Sequence, residues 1–290
     1  MTVPLVDLRR DAAVVAGAIR RACEEIGFFT VTGHGVDPEL VGRIADVSRA
    51  FFELPVQEKL ALAGGELVRD RPVYRPIRSE SLGATSGGER RGDLKESLDY
   101  GPTLPGVRWP QRPAGLERAY RDYLAAMDAL AARLRRAIAT ALGRSETHFE
   151  ALFDEPGSSI RVINYPPLDA GPYDGDLRAG AHRDYGFLTI LRSENVAGGL
   201  EVKRRDGPWV AVEAPADAFV VNIGDMLAEW TNGVWVSTLH RVGVPPPGVA
   251  APRRQSLVFF HNPRGDAYLD GLGTTCDEYI RAKAAAAFGA

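Results

Sequence analysis

Apolar residues recur every third or fourth position through much of the first half of the chain, and after residue 158 this period gives way to short, punctuated runs. Residues 11–26 place Val15, Ile19, Ala22 and Ile26 on one face, which predicts a helix packed on a core. A short strand over 3–8 precedes it, and Gly27-Phe28-Phe29-Thr30-Val31-Thr32 reads as a buried strand after it. Asp37-Pro38 then supplies an N-cap and a first-turn proline for a second helix carrying Leu40, Ile44, Val47 and Phe51. The longest helical stripe spans 113–143, with Leu116, Tyr120, Tyr123, Met127, Leu130, Leu134, Ile138 and Leu142 in phase and Gly143 as a stop. One helix cannot bury such a stripe by itself, so it is expected to buttress a sheet.

That sheet is expected from the second half. Apolar runs at 160–165, 187–191, 200–202, 209–212, 219–223, 234–244 and 256–260 are separated by Gly198-Gly199, Asp206-Gly207, Gly224-Asp225, Asn232-Gly233 and Pro245-Pro246-Pro247-Gly248. Even spacing of this kind predicts an antiparallel double-stranded β-helix, the jelly-roll or cupin-like barrel. The chain therefore reads as mainly β with α additions. An N-terminal α/β region with buttressing helices covers 1–157, the barrel core covers 158–265, and a helical extension covers 266–290. Residues 63–99 break every period and carry arginines at 69, 71, 75, 78, 90 and 91, which reads either as a lid over an anionic substrate or as a solvated loop.

Composition narrows the partners. At 45% hydrophobic and 25% charged residues with a net charge of −3, nothing electrostatic favours nucleic acid or a membrane surface, and a small-molecule substrate is the expected partner, with no obligate protein partner evident. Cys23 and Cys276 lie far apart without a CxxC pair, which suits reduced thiols. No basic segment leads into an apolar core at the N-terminus and no apolar run reaches spanning length, so a cytoplasmic location is expected.

The chemistry concentrates in His182-Arg183-Asp184 and His240. On a strand, His182 and Asp184 share a face while Arg183 points away, and His240 in a later run can complete the set. Two imidazoles and one carboxylate with open positions form the facial triad of non-haem Fe(II) oxygenases. Zinc accepts the same donors, but the chain has no HExxH helix to supply a hydrolytic base. Of the other histidines, His34 reads as a turn residue, His148 as a surface residue, and His261 as a residue able to line the pocket. Arg254 and Ser256 also lie two apart, so guanidinium and hydroxyl can grip one carboxylate, while Tyr165 reads either as a core tyrosine or as a phenol offered by another strand.

With these residues in view, the chain resembles the isopenicillin N synthase-like family of Fe(II)- and 2-oxoglutarate-dependent dioxygenases over nearly its full length. The resemblance rests on Val3-Pro4-Leu5-Val6-Asp7-Leu8, Gly27 to Val36, Asp93-Leu94-Lys95-Glu96, His182 to Thr189, Asn222-Ile223-Gly224-Asp225, Thr231-Asn232-Gly233, Ser237 to Val242, and Arg254-Gln255-Ser256. It implies that His182, Asp184 and His240 ligate iron. It also implies that Arg254 and Ser256 bind the distal carboxylate of 2-oxoglutarate with Tyr165 nearby, and that dioxygen is the second cosubstrate. Oxidation of an unactivated C–H bond of a small metabolite, with release of succinate and CO2, is the expected reaction, whether hydroxylation, desaturation or cyclisation. No catalytic group beyond the metal centre is implied, and Tyr185, Phe260 and Tyr74 are the candidate substrate-pocket residues. Arg183, Ile163 and the proline-rich stretch between His240 and Arg254 depart from the family pattern, and Ile163 removes one secondary cosubstrate contact. A 2-oxoglutarate-independent oxidase of the isopenicillin N synthase type and a non-catalytic binding barrel are the rival readings.

Overall fold

The computed structural model describes residues 3–63, 73–101, 109–171, 173–195 and 198–288. The chain opens with β1 (Leu5–Asp7), α1 (Ala12–Glu25), β2 (Phe28–Thr32), α2 (Pro38–Phe52) and a short α3 (Val56–Leu60). Then come β3 (Val73–Arg75), β4 (Glu96–Tyr100) and the long α4 (Leu116–Ala141). The barrel strands follow as β5 (Ser159–Tyr165), β6 (Ala179–His182), β7 (Leu188–Ser193), β8 (Leu200–Lys203), β9 (Trp209–Ala211) and β10 (Phe219–Ile223). After α5 (Asp225–Trp230) the chain forms β11 (His240–Val242), β12 (Arg254–His261), the hairpin β13 (Tyr268–Leu269) and β14 (Thr274–Thr275), and α6 (Cys276–Phe288).

The helices form where the periodicity places them. Asp37 caps α2 by accepting the Glu39 amide at 2.9 Å, with Pro38 in the first turn. The α4 stripe from Leu116 through Tyr120, Tyr123, Met127 and Leu134 to Ile138 is buried, and α1 and α2 both pack against this helix.

Two sheets form the double-stranded β-helix. The larger has eight strands in the order β1-β2-β10-β7-β12-β5-β4-β3 and the smaller has four in the order β6-β11-β8-β9. All their pairings are antiparallel except β1 with β2. Strand alternation divides the core in two. Leu257 and Phe259 of β12, with Ile160 and Val162 of β5, face the helices. Val258 with Ile163 and Tyr165 faces the barrel interior, where Phe28, Ala179, Val202 and Val242 meet them.

Three local expectations are corrected. The run 234–244 is a strand only at β11, because residues 234–239 form turns and irregular chain after α5. Residues 63–99 are not one long loop: β3 and β4 extend the large sheet beside β5, while 64–72, with Arg69 and Arg71, lie outside the described residues. The segment between β3 and β4 closes on itself through Asp93 N to Glu80 O at 2.8 Å and meets the chain before β6 through Leu94 N to Leu177 O at 3.0 Å. Three of the arginines are matched to carboxylates, Arg75 to Asp99 at 2.7 Å, Arg78 to Asp176 at 2.8 Å and Arg91 to Glu89 at 2.8 Å, so these three are not open to an anion.

Candidate active site

His182 ends β6 and His240 begins β11, and the two stand directly opposite each other in the ladder. Their rings lie 4.3 Å apart between centroids. The Nδ1 atoms face backbone carbonyls, Gly180 O at 2.7 Å for His182 and Thr238 O at 3.0 Å for His240. Since a carbonyl only accepts, Nδ1 carries the proton in each ring and Nε2 turns its lone pair into the site.

Asp184 is not placed by strand alternation, which corrects that part of the sequence argument: the strand ends at His182. Its position comes from α5, where the Asp225 amide donates to Asp184 O at 2.8 Å and the Met226 amide to Tyr185 O at 3.1 Å. The approach requires glycine at 224, where a Cβ would lie 2.1 Å from Gly186 O. Thr189 Oγ1 and Asn222 Nδ2 each donate to Asp184 Oδ2 at 2.6 Å. That leaves Oδ1 turned toward the imidazoles, 3.9 Å from His182 Nε2 and 3.7 Å from His240 Nε2.

The electrostatics suit a metal site. Burial, with His240 alongside, pushes His182 down to about 3, so the ring is neutral and able to ligate. Burial pushes Asp184 up, but the neighbouring imidazoles and its two hydrogen-bond donors outweigh it, and the carboxyl is held below its ordinary range. Arg183 is exposed, its Nε donating to Ser237 O at 2.9 Å.

Arg254 and Ser256 open β12 and are buried on the barrel face, with Tyr165 opposite Arg254 and Ile163 opposite Ser256. Arg254 Nε donates to Glu194 O at 3.2 Å and Nη2 bonds Ser193 Oγ, while the buried Nη1 has no hydrogen-bond partner among the described residues. A buried guanidinium with an open N–H is what a ligand carboxylate completes.

Two family models match the chain: the N-terminal model of the non-haem dioxygenase in morphine synthesis over residues 3–122, and the 2OG-Fe(II) oxygenase superfamily model over 157–263. A homoarginine-6-hydroxylase of Arabidopsis thaliana is 31% identical over 291 residues, covering 95% of this chain and 78% of the relative. The chain belongs to the 2OG-Fe(II) oxygenase superfamily. It is a 2-oxoglutarate-dependent oxygenase of the isopenicillin N synthase-like type. A homoarginine-6-hydroxylase of Oryza sativa subsp. japonica is 32% identical over 276 residues, covering 90% of this chain and 81% of the relative. Among solved structures, a full-length Neurospora crassa protein in complex with alpha-KG superposes with a TM-score of 0.85 at 27% identity, covering 97% of this chain and 96% of that one.

The residues of this oxygenase fit both groups that the superfamily name implies. Two imidazole nitrogens and one carboxylate oxygen, all within 4.8 Å of one another, match iron(II) with one side left open. The open N–H of Arg254 fits a carboxylate.

The candidate substrate residues divide. Phe260 lies on the barrel face of β12, half-buried. Tyr185 follows the triad aspartate, with Thr85 beside its hydroxyl and burial pushing the phenol up. Tyr74 belongs elsewhere: it pairs with Leu98 on the helix-covered face and donates to Glu96 Oε2 at 2.6 Å. His261 is also on that face, stacked on Phe153 and bonded to Arg135 and Ser158, and it does not line the pocket.

Sequence reading missed a charged wall on the barrel face of β4 and β5. Arg161 makes a two-pronged contact with Asp99, Nη2 to Oδ2 at 2.6 Å and Nε to Oδ1 at 2.9 Å, and also reaches Glu80 at 3.3 Å. Lys95 lies 3.1 Å from Glu80 and 3.3 Å from Asp93, whose other oxygen accepts the Gly180 amide two residues before His182. Burial pushes Glu80 up, but Arg161, Lys95 and Arg75 outweigh it and hold it at about 2. Against the burial that pushes Arg161 down, Asp184 adds to the carboxylates that push it above the ordinary arginine range. Period-2 alternation from Tyr165 back to Ile163 and Arg161 was the available signal.

Proposed function

We propose that this oxygenase hydroxylates a C–H bond of a small polar metabolite, holding iron(II) with His182, Asp184 and His240 and the distal carboxylate of 2-oxoglutarate with Arg254 and Ser256. The observation that carries the reading is the convergence of two Nε2 atoms on Asp184 Oδ1 within 3.9 Å, beside a buried arginine with an open N–H. Iron(II) bound there with 2-oxoglutarate and dioxygen supplies an oxidant able to take hydrogen from an unactivated C–H bond as 2-oxoglutarate becomes succinate and CO2.

The chain's own residues do the positioning. The carbonyls of Gly180 and Thr238 fix the imidazoles, and Thr189 with Asn222 commits one carboxylate oxygen so that the other faces the metal. Tyr165 flanks the cosubstrate, and Tyr185 and Phe260 line the substrate side. A polar substrate follows from the wall of Arg161, Asp99, Glu80 and Lys95. An apolar molecule gains nothing from buried ion pairs, whereas a molecule carrying both charges can exchange partners with them. The relatives named homoarginine-6-hydroxylase, whose named substrate is such a molecule, accord with this. Cys23 and Cys276, both buried and without a disulfide, accord with work in the cytoplasm.

The test is a screen of amino acids and other small zwitterions with Fe(II)-loaded protein, scored by succinate. Substrate-stimulated succinate release is expected, and product without succinate would point to an oxidase instead. Asp184→Ala is expected to abolish iron binding and to cut succinate release by more than about 100-fold, beyond the range of losses of supporting contacts. Undiminished turnover in that variant would sink the ligand assignment.

A further inference from the structure

A further buried guanidinium lies against Tyr165 in the barrel interior. Arg178, just before β6, is fully buried, and its Cζ lies 5.9 Å from the centroid of the Tyr165 ring, against which Arg254 Cζ lies at 4.8 Å. Its Nη1 donates to Gly198 O at 3.3 Å and its Nη2 to Pro252 O at 3.2 Å. The phenol face attracts each cation but offsets only part of what burial costs it. Burial first, then the charge of Arg254, pushes Arg178 below the ordinary arginine range. Two buried cations against one ring repel each other, and an anion placed among them relieves both the repulsion and part of the desolvation cost.

We propose that Arg178 is a positioning and selectivity residue for the cosubstrate: its charge favours a 2-oxo acid with a distal carboxylate, and its bond to Pro252 O steadies the strand entry two residues before Arg254. This rests on reading Arg254 as the partner of that carboxylate. Arg178 contacts no reacting atom. It strengthens the pull on the far end of the cosubstrate, so it governs which 2-oxo acid binds.

The experiment is anaerobic calorimetric titration of the Fe(II)-loaded full chain with 2-oxoglutarate and with 2-oxopentanoate, which has the same chain length and a methyl in place of the distal carboxylate. Arg178→Gln keeps an amide donor for the Pro252 carbonyl and loses the charge, while Arg178→Lys keeps the charge. The glutamine variant is expected to bind 2-oxoglutarate about tenfold more weakly, with 2-oxopentanoate unchanged, and the lysine variant to retain most of the wild-type preference. Equal weakening toward both acids in both variants would reduce Arg178 to a structural clamp, and unchanged 2-oxoglutarate affinity in the glutamine variant would overturn the proposal. Should the glutamine variant not fold, loss of the preference in the lysine variant overturns it as well. If the wild type itself does not distinguish the two acids, the reading of Arg254 falls first and this one with it.

Discussion

On the helix-covered face of the eight-stranded sheet, Lys59 donates to Glu96 at 2.8 Å and to Phe52 O at 2.9 Å, while Tyr74 and Asn164 bond the same carboxylate at 2.6 Å and 2.7 Å. On the barrel face of the same sheet, Arg254 has a carbonyl and a hydroxyl for acceptors, and its Nη1 is left without a partner among the described residues. Lys59 and Arg254 are both buried charges, and they differ in whether the chain itself closes the ion pair. A pair closed internally holds the fold together, with β3, β4 and β5 tied to α3. A charge left open costs the empty protein and is recovered when a ligand arrives.

Arg254→Met tests the open side, and its effect should fall on ligand binding. Loss of a charged hydrogen-bonding partner predicts about 10- to 100-fold weaker 2-oxoglutarate binding, read by titration. The ligand-free Tm should suffer less than in the next variant, because an uncompensated buried charge leaves with the side chain. Lys59→Met tests the closed side. It strands Glu96 in the core, so a loss of about 3 kcal/mol in unfolding free energy is expected by denaturant titration, with 2-oxoglutarate affinity unchanged. If the two variants exchanged these phenotypes, the distinction between the closed and the open site would be wrong.

The smallest effect concerns His261, also on the helix face. Its Nε2 accepts from Arg135 at 3.1 Å and its Nδ1 meets Ser158 Oγ at 3.0 Å, which itself donates to Asp128 at 2.7 Å, so a neutral ring satisfies every partner. Burial, with Arg135 beside it, pushes the imidazole from 6.5 down to about 3. Above pH 6.5 the ring is neutral folded and unfolded, and this group contributes no slope. As the pH falls toward 3, the unfolded chain takes a proton that the folded one refuses, and stability drops by up to about 1.4 kcal/mol per pH unit. His261→Gln should therefore flatten the fall in stability between pH 6.5 and about 5, above the ordinary carboxylate range. An identical slope in the variant would show that the ring is protonated in the fold.

How far the site was legible follows from which residues depend on local spacing. Arg254 and Ser256 sit two apart on a real strand, so alternation alone places both on one face. His182 and His240 were visible as candidates because few histidines compete. Tyr74 and His261 were misplaced because a strand residue's face depends on register against neighbours: Tyr74 opposes Leu98, and His261 falls on the same parity as Leu257 and Phe259. Arg161, Asp99, Glu80 and Lys95 are each ordinary charged residues in the sequence. They form a site only because β5, β4 and the segment before β4 converge.

The sequence by itself determined the helical stripes, the run of barrel strands, the three candidate metal donors and the arginine–serine pair, since each is written in spacings of two, three or four residues or in the scarcity of histidine. The tertiary structure decided the rest. It set Asp184 by the docking of α5 rather than by a strand, assigned Tyr74 and His261 to the helix face, and brought Arg178 and Arg254 to one phenol ring. The physical reason is that periodicity encodes which side of its own element a residue occupies. Which charges face one another depends on how distant elements pack, and burial then makes those encounters strong enough to matter.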